Sequence, residues 1–268
     1  MSTTRVYSAR ENVLALKAVD VPTVYGLDIT TAGVSLAKIT ADGARPQLRY
    51  RVSPPTAGKN HSLASAVNRM QATTNGVLET VTRDGTRPSL VVMGKPTWAM
   101  MNSDPSAARR LGQYWLIVQE LAARRIPAAE VPLATAMAWA LGRSPGLGAA
   151  GREKLTDSIL ATCPELATVA AGLDSRYRMS AVAYAAMGAM AAGIETPYAP
   201  TVDRLRALSV STGTDRANRG AQWPYAVRPL PKTIADWQAR HEKGGVVKEE
   251  PSIADHPDNT DTDEEMSA

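Results

Sequence analysis

Apolar and polar positions between Thr23 and Gly193 follow two periods, one of two residues and one near 3.6. Val24-Tyr-Gly-Leu-Asp28 is a short apolar run ending on a carboxylate and predicts a strand. Gly33 to Thr40 alternates and leads into Asp42-Gly43, a hairpin turn signal, with Gln47 to Val52 as the returning strand. From His61 to about Val81, the residues Leu63, Val67, Met70, Val77, Leu78 and Val81 fit a helix. Ser89 to Gly94 reads as a buried strand. Asp104 caps a helix with Pro105 at its first position. That helix runs to about Arg125 and places Leu111, Tyr114, Trp115, Val118 and Leu121 on one core-facing stripe. Ala128 to Val131 is a short strand, followed by an alanine-rich helix through Trp139 and a Gly/Pro loop from Gly142 to Gly151. Helices follow at about Gly151–Thr162 and Tyr177–Ala192. Three antiparallel strands followed by strands alternating with helices predict an α/β domain, a mixed five-stranded sheet with helices on its faces.

The flanks read differently. Residues 1–22 are weakly patterned, an arm before a domain spanning 23–195. Over 196–241 prolines recur, at Pro197, Pro200, Pro224, Pro229 and Pro231, around short helices near Val202–Leu208 and Thr233–Arg240. This is a C-terminal extension, with Trp223 and Trp237 expected to pin it to the domain. Residues 242–268 hold nine acids and two lysines and little to bury, the composition of a disordered acidic tail. The rest of the chain carries 28 Lys/Arg against 17 Asp/Glu. A basic body suits a polyanionic partner, and a tail of opposite sign can compete for the same surface or simply solubilise the chain.

Composition removes several classes of chemistry. Cys163 is the only cysteine, so neither a disulfide framework nor a thiolate metal centre can form within one chain. His61, His241 and His256 are the only histidines, which leaves little for a histidine-based triad or a two-histidine metal site. There is no signal-peptide pattern and no apolar run of membrane-spanning length, so no membrane association and a cytoplasmic location are expected. Phenylalanine is absent and arginine outnumbers lysine 22 to 8, a GC-rich coding bias.

Six segments, in order, resemble the RuvC-like branch of the ribonuclease H-like superfamily, and most closely the Holliday-junction resolvases of actinobacteria and their phages. They are Gly26-Leu-Asp-Ile-Thr-Thr-Ala-Gly33 (the first-strand motif), Leu90-Val-Val-Met-Gly-Lys-Pro96 (the fourth strand), and Arg110 to Val118 (the helix after it). Arg125 to Pro132 resembles the fifth strand, Ala150-Gly-Arg-Glu-Lys154 a glycine-lysine helix start, and Ala183 to Gly188 the end of the last helix. The resemblance implies metal-assisted phosphodiester hydrolysis by dimers, with two divalent ions held by several carboxylates. It places one acid on the first strand, one at the end of the fourth, and one or two at the start of the last helix.

Only the first of these is present, as Asp28. The fourth-strand position falls on Met93 or Gly94, and the last-helix positions on Tyr177 and Ser180, with Arg176 and Arg178 alongside. A guanidinium beside Asp28 pairs with it and disfavours a metal. The resemblance therefore implies a pseudonuclease that needs no cofactor. The alternative is an active, structure-selective endonuclease using Mg²⁺ or Mn²⁺, with Asp174, or Glu153 and Asp157, swung inward to complete the site. Against that, Glu153 and Asp157 read more simply as a solvated helix face and Asp174 as a loop or capping acid.

Asp28 itself is either a residual ligand or an ion-pair partner. Lys95, Trp98, Arg109, Arg110, Arg143, Arg152, Arg176 and Arg178 are the candidate nucleic-acid contacts. Lys95 also reads as a solvated loop lysine, and Arg143 and Arg152 as flanks of a structural loop. Three functions compete: a non-catalytic protein binding branched or duplex DNA in phage or bacterial DNA transactions, the active endonuclease, and a structural module meeting a protein partner through its C-terminal region. A homodimer is compatible with each, and for a phage-encoded chain the compartment is the host cytoplasm.

Overall fold

The computed structural model describes residues 17–18, 21–55, 62–96, 107–142, 148–170, 175–209, 220–245 and 247–248; for 17–18, 44, 84, 169–170 and 175–178 it describes backbone alone. In chain order the strands are β1 (Lys17–Ala18), β2 (Thr23–Ile29), β3 (Gly33–Thr40), β4 (Gly43–Val52), β5 (Thr86–Arg87), β6 (Leu90–Gly94) and β7 (Ala128–Val131). The helices are α1 (Leu63–Val81), α2 (Ala107–Ala123), α3 (Leu133–Leu141), α4 (Ala149–Thr162), α5 (Ala167–Ala170), α6 (Ser175–Ala192), α7 (Val202–Ser209) and α8 (Ile234–His241).

Five strands form one sheet in the order β4-β3-β2-β6-β7. β3 is antiparallel to β2 and β4, while β6 is parallel to β2 and β7 to β6. Numbered within the sheet this is 3-2-1-4-5, with only the second strand reversed. The fold is ribonuclease H-like. β1 and β5 make a separate two-stranded parallel pair that the sequence pattern did not reveal.

Strand alternation divides the core in two. On one face Tyr25, Leu27, Val34, Leu36, Val91 and Met93 pack against Val77, Leu78 and Val81 of α1 and Tyr114, Ile117 and Leu121 of α2. On the other, Val24, Ala37, Ile39, Leu90 and Val92 pack against α6. From Met179 to Ile194 every residue is buried, because α4, α3 and the C-terminal segment cover the side of α6 away from the sheet. A helix enclosed on all sides has no polar stripe, and its sequence is correspondingly apolar all round.

Two expected stripes are corrected. Trp115 is 53% exposed and Leu111 only half-buried; the inward residues of α2 are Gln113, Tyr114, Ile117 and Leu121. In α1, Leu63 and Val67 face solvent and the buried face begins at Thr73. The helix starts on Ser62, whose hydroxyl accepts from the Ser65 amide at 3.1 Å. Asp104 and Pro105, expected to begin α2, lie outside the described residues, as do most of residues 1–22.

The C-terminal extension belongs to the main core. Tyr198, Leu205, Leu208, Trp223, Val227 and Trp237 are all buried in it. The Trp223 indole donates to the Leu208 carbonyl at 2.8 Å, and Gln222 pairs with Glu130 beside β7. Both tryptophans are thus turned inward. The packed chain continues to Lys248, whose amide donates to the Ala226 carbonyl at 2.9 Å.

Candidate functional site

Asp28 lies near the end of β2 and faces α6, the direction set by alternation from Val24 and Gly26. At Gly26 the helix comes so close that a Cβ would stand 2.1 Å from the Ala181 carbonyl oxygen and 2.3 Å from the Ala185 nitrogen. That approach brings the helix's side chains directly onto the strand end. The Ser180 hydroxyl hydrogen-bonds the Asp28 carboxylate. Tyr184, one turn on, lies within electrostatic reach of the same carboxylate, and so does Arg152 from the first turn of α4. Burial raises Asp28 to about 6, against the opposing pull of Arg152 and Ser180. Burial and the Asp28 charge hold the Tyr184 phenol well above its ordinary value, so it stays protonated.

Asp28 Oδ2 is buried without a hydrogen-bond partner among the described residues. So is the hydroxyl of Ser35, the cross-strand partner of Asp28 on β3. Two orphaned oxygens on paired residues mark a polar spot inside an otherwise apolar face.

The structure decides which fourth-strand residue stands beside Asp28. β6 pairs with β2 through Gly26–Val92 and Leu27–Met93, so Met93 points into the α1–α2 core and Gly94 falls on the Asp28 side. Gly94 is filled from across: a Cβ there would meet the Tyr184 ring at 2.8 Å. A longer acid at position 94 has no room unless Tyr184 moves.

These residues do not fit a pair of divalent cations. One orphaned carboxylate oxygen is available, but its neighbours among the described residues are a serine, a phenol, a glycine and a guanidinium. Two close cations need several anionic oxygens, and an arginine within reach opposes them. No cluster of three metal-binding side chains occurs among the described residues. Glu153 and Asp157 both lie on the exposed face of α4, whose inward residues are Leu155, Thr156 and Ile159.

The remaining candidates are scattered. Lys95 is not a solvated loop lysine: its side chain is 10% exposed and pairs with Glu130 at 3.0 Å. Glu130 also accepts from the Tyr114 hydroxyl at 2.7 Å, an interaction that, with burial, drives the Tyr114 phenol far upward. Arg109 and Arg110, near the start of α2, border a cleft on the opposite side of the sheet from Asp28, together with Arg69 and the Thr30–Thr31 turn. The Thr30 hydroxyl is used within that turn, donating to the Gly33 carbonyl and accepting from the Gly33 amide. Among the described side chains, Arg152 is the one basic candidate brought to Asp28. Trp98, Arg143 and Asp174 lie outside the described residues, and Arg176, Tyr177 and Arg178 are described as α6 backbone only.

Tyr184, Ser35 and Glu130 were missed in the sequence. Tyr184 is seven residues past Tyr177, on a helix whose uniform apolarity gives no phase. The one available signal was Gly94 itself, a glycine at a strand end where a bulky neighbour must fit.

No family model matches the chain, and no curated protein does. In fold, it is similar to RuvC. Thermus thermophilus RuvC overlaps it with a TM-score of 0.44 and 16% identity, over 61% of this chain and 90% of that one. T. thermophilus RuvC in complex with Holliday junction substrate overlaps with a TM-score of 0.42, at the same identity and coverage. No helix among the described residues is long and apolar enough to cross a membrane.

Proposed function

We propose that this protein binds nucleic acid on a resolvase-like scaffold and does not hydrolyse phosphodiesters by a two-metal mechanism. The observation that carries the reading is the set of groups around Asp28. Ser180, Gly94 with Tyr184 packed into it, and Arg152 occupy the surroundings in which a two-metal centre needs carboxylates. The basic balance of the chain before Glu242 supplies the attraction for a polyanion. The ribonuclease H-like topology and the order of the six sequence segments support a resolvase-like ancestry.

The test is a titration with two readouts. Labelled four-way junction, duplex and single-stranded DNA are incubated with the full chain and Mg²⁺ or Mn²⁺, at low and moderate salt, beside Asp28→Asn. A mobility shift without cleavage, weakening as salt rises and unchanged in Asp28→Asn, is the expected result. Metal-dependent cleavage abolished in Asp28→Asn would overturn it and point to a carboxylate such as Asp174 completing the site. Absence of any shift would move the function to a protein partner.

A further inference from the structure

A cleft of about 370 Å³ opens on the α1–α2 side of the sheet. β2 turns Asp28 toward α6, and two residues later the Thr30–Thr31 turn borders this cleft, so the two sites share one end of the sheet and lie on opposite faces. Arg69, Arg109 and Arg110 line it, and no carboxylate does among the described residues. Arg69 is held in place by donating to the Thr31 carbonyl at 2.9 Å and to the Pro54 carbonyl, so its guanidinium is fixed by backbone. The neutral polar groups nearby already have partners. Thr73 donates to Ser53 at 3.0 Å, and Gln113 donates to Thr74 at 2.7 Å. Ala66 and Met70 supply an apolar wall.

Three arginines concentrate donors for an anion around one cavity. Arg109 and Arg110 also sit near the start of α2, the helix end that disfavours cations. A bound anion is favoured by both features. Arginines recognise phosphate through paired N–H donors, and the apolar wall suits what a phosphate ester carries beside it.

We propose that this cleft is a phosphate-binding subsite that takes one nucleotide of a nucleic-acid strand, with the phosphate on Arg109 and Arg110 and the sugar against Ala66 and Met70. The proposal rests on the nucleic-acid reading and adds a second site, separate from Asp28.

The experiment uses the full chain without metal. Fluorescence anisotropy follows labelled single-stranded and duplex DNA, and calorimetry follows thymidine 5′-monophosphate. The variants are Arg109→Ala with Arg110→Ala, and Ala66→Trp, which fills the cleft and leaves the charge alone. Arg49→Ala with Arg83→Ala, away from the cleft, removes the same charge and is the control. Thermal melts establish that each is folded, and Ala66→Leu replaces the tryptophan variant if that one is not.

Both cleft variants are expected to weaken DNA binding by about tenfold or more, and to lose the mononucleotide. The control pair is expected to change binding by about threefold or less. Cleft variants that bind DNA as tightly as the control overturn this subsite while the nucleic-acid reading stands. A mononucleotide bound by the wild type and lost in both cleft variants, with no DNA binding at all, keeps the subsite and overturns that reading. Binding of neither ligand overturns both.

Discussion

A carboxylate enclosed by a helix, a serine and a phenol must answer for its burial at the residue scale. The folded state holds the Asp28 proton more tightly than the unfolded chain, since burial raises its pKa from 3.8 to about 6. Stability linked to this group is therefore full below about pH 4, falls as the pH rises to about 6, and is flat above. Asp28→Asn removes the charged form and keeps the shape. It is expected to raise stability by about 2–3 kcal/mol at pH 8 and to change it little at pH 4. Denaturant unfolding of both proteins at the two pH values checks this. Equal stability at pH 8, or loss of stability there, would mean that Arg152 compensates the carboxylate more fully than its burial penalises it. The sequence identified Asp28 and gave Tyr177 and Ser180 as the last-helix positions, of which Ser180 bonds the carboxylate. It named Arg152 as a nucleic-acid contact or a loop flank and not as a neighbour of Asp28, because an arginine so far along the chain from β2 has no local sign of where its guanidinium will end.

At the scale of elements, the contact that organises the site is β2 against α6. It works because Gly26 has no side chain and because Ala181, Ala185 and Gly188 keep the facing side of the helix low. Gly26→Ala puts a methyl group on backbone atoms that cannot rotate away, and the helix must retreat. A loss of roughly 3 kcal/mol or more is expected, seen as a melting temperature lowered by several degrees, and Asp28 should lose its contact with Ser180. A melt unchanged within a degree would mean that α6 is not tightly seated. Most strands and helices were readable because their apolar spacing is regular and their ends carry turn residues. The exceptions share a cause. α6 has no polar stripe, so its phase was hidden, and Trp115 has the spacing of a core residue while Gln113 took the inward position through its bond to Thr74. β1 and β5 are two residues each and leave no periodicity to detect.

Charge is the property of the whole molecule that the fold leaves unresolved by packing. The C-terminal segment folds onto α3 and α6 as far as Lys248, and the twenty residues beyond it carry eight acids and no lysine or arginine. Removing them takes the formal net charge from +4 to +12. An extended chain of that length reaches about 65–70 Å, enough to meet any face of a domain of this size. A tail that competes with polyanions for the basic surface does so through long-range attraction, which is screened within roughly 10 Å at 0.1 M salt, whereas one that only solubilises the chain leaves polyanion binding unchanged. A chain ending at Lys248 is therefore expected to elute from immobilised heparin at clearly higher salt than the full chain. It should also bind duplex DNA several-fold more tightly at about 50 mM salt. The gap should close as salt rises if the tail's contribution is electrostatic. An acid-to-amide version, with the eight carboxylates replaced by Asn and Gln, separates charge from length and should behave like the truncated chain. If the truncated chain elutes with the full one, the basic surface is not within the tail's influence. If the amide version elutes with the full chain while the truncated one does not, the tail acts by bulk rather than by charge.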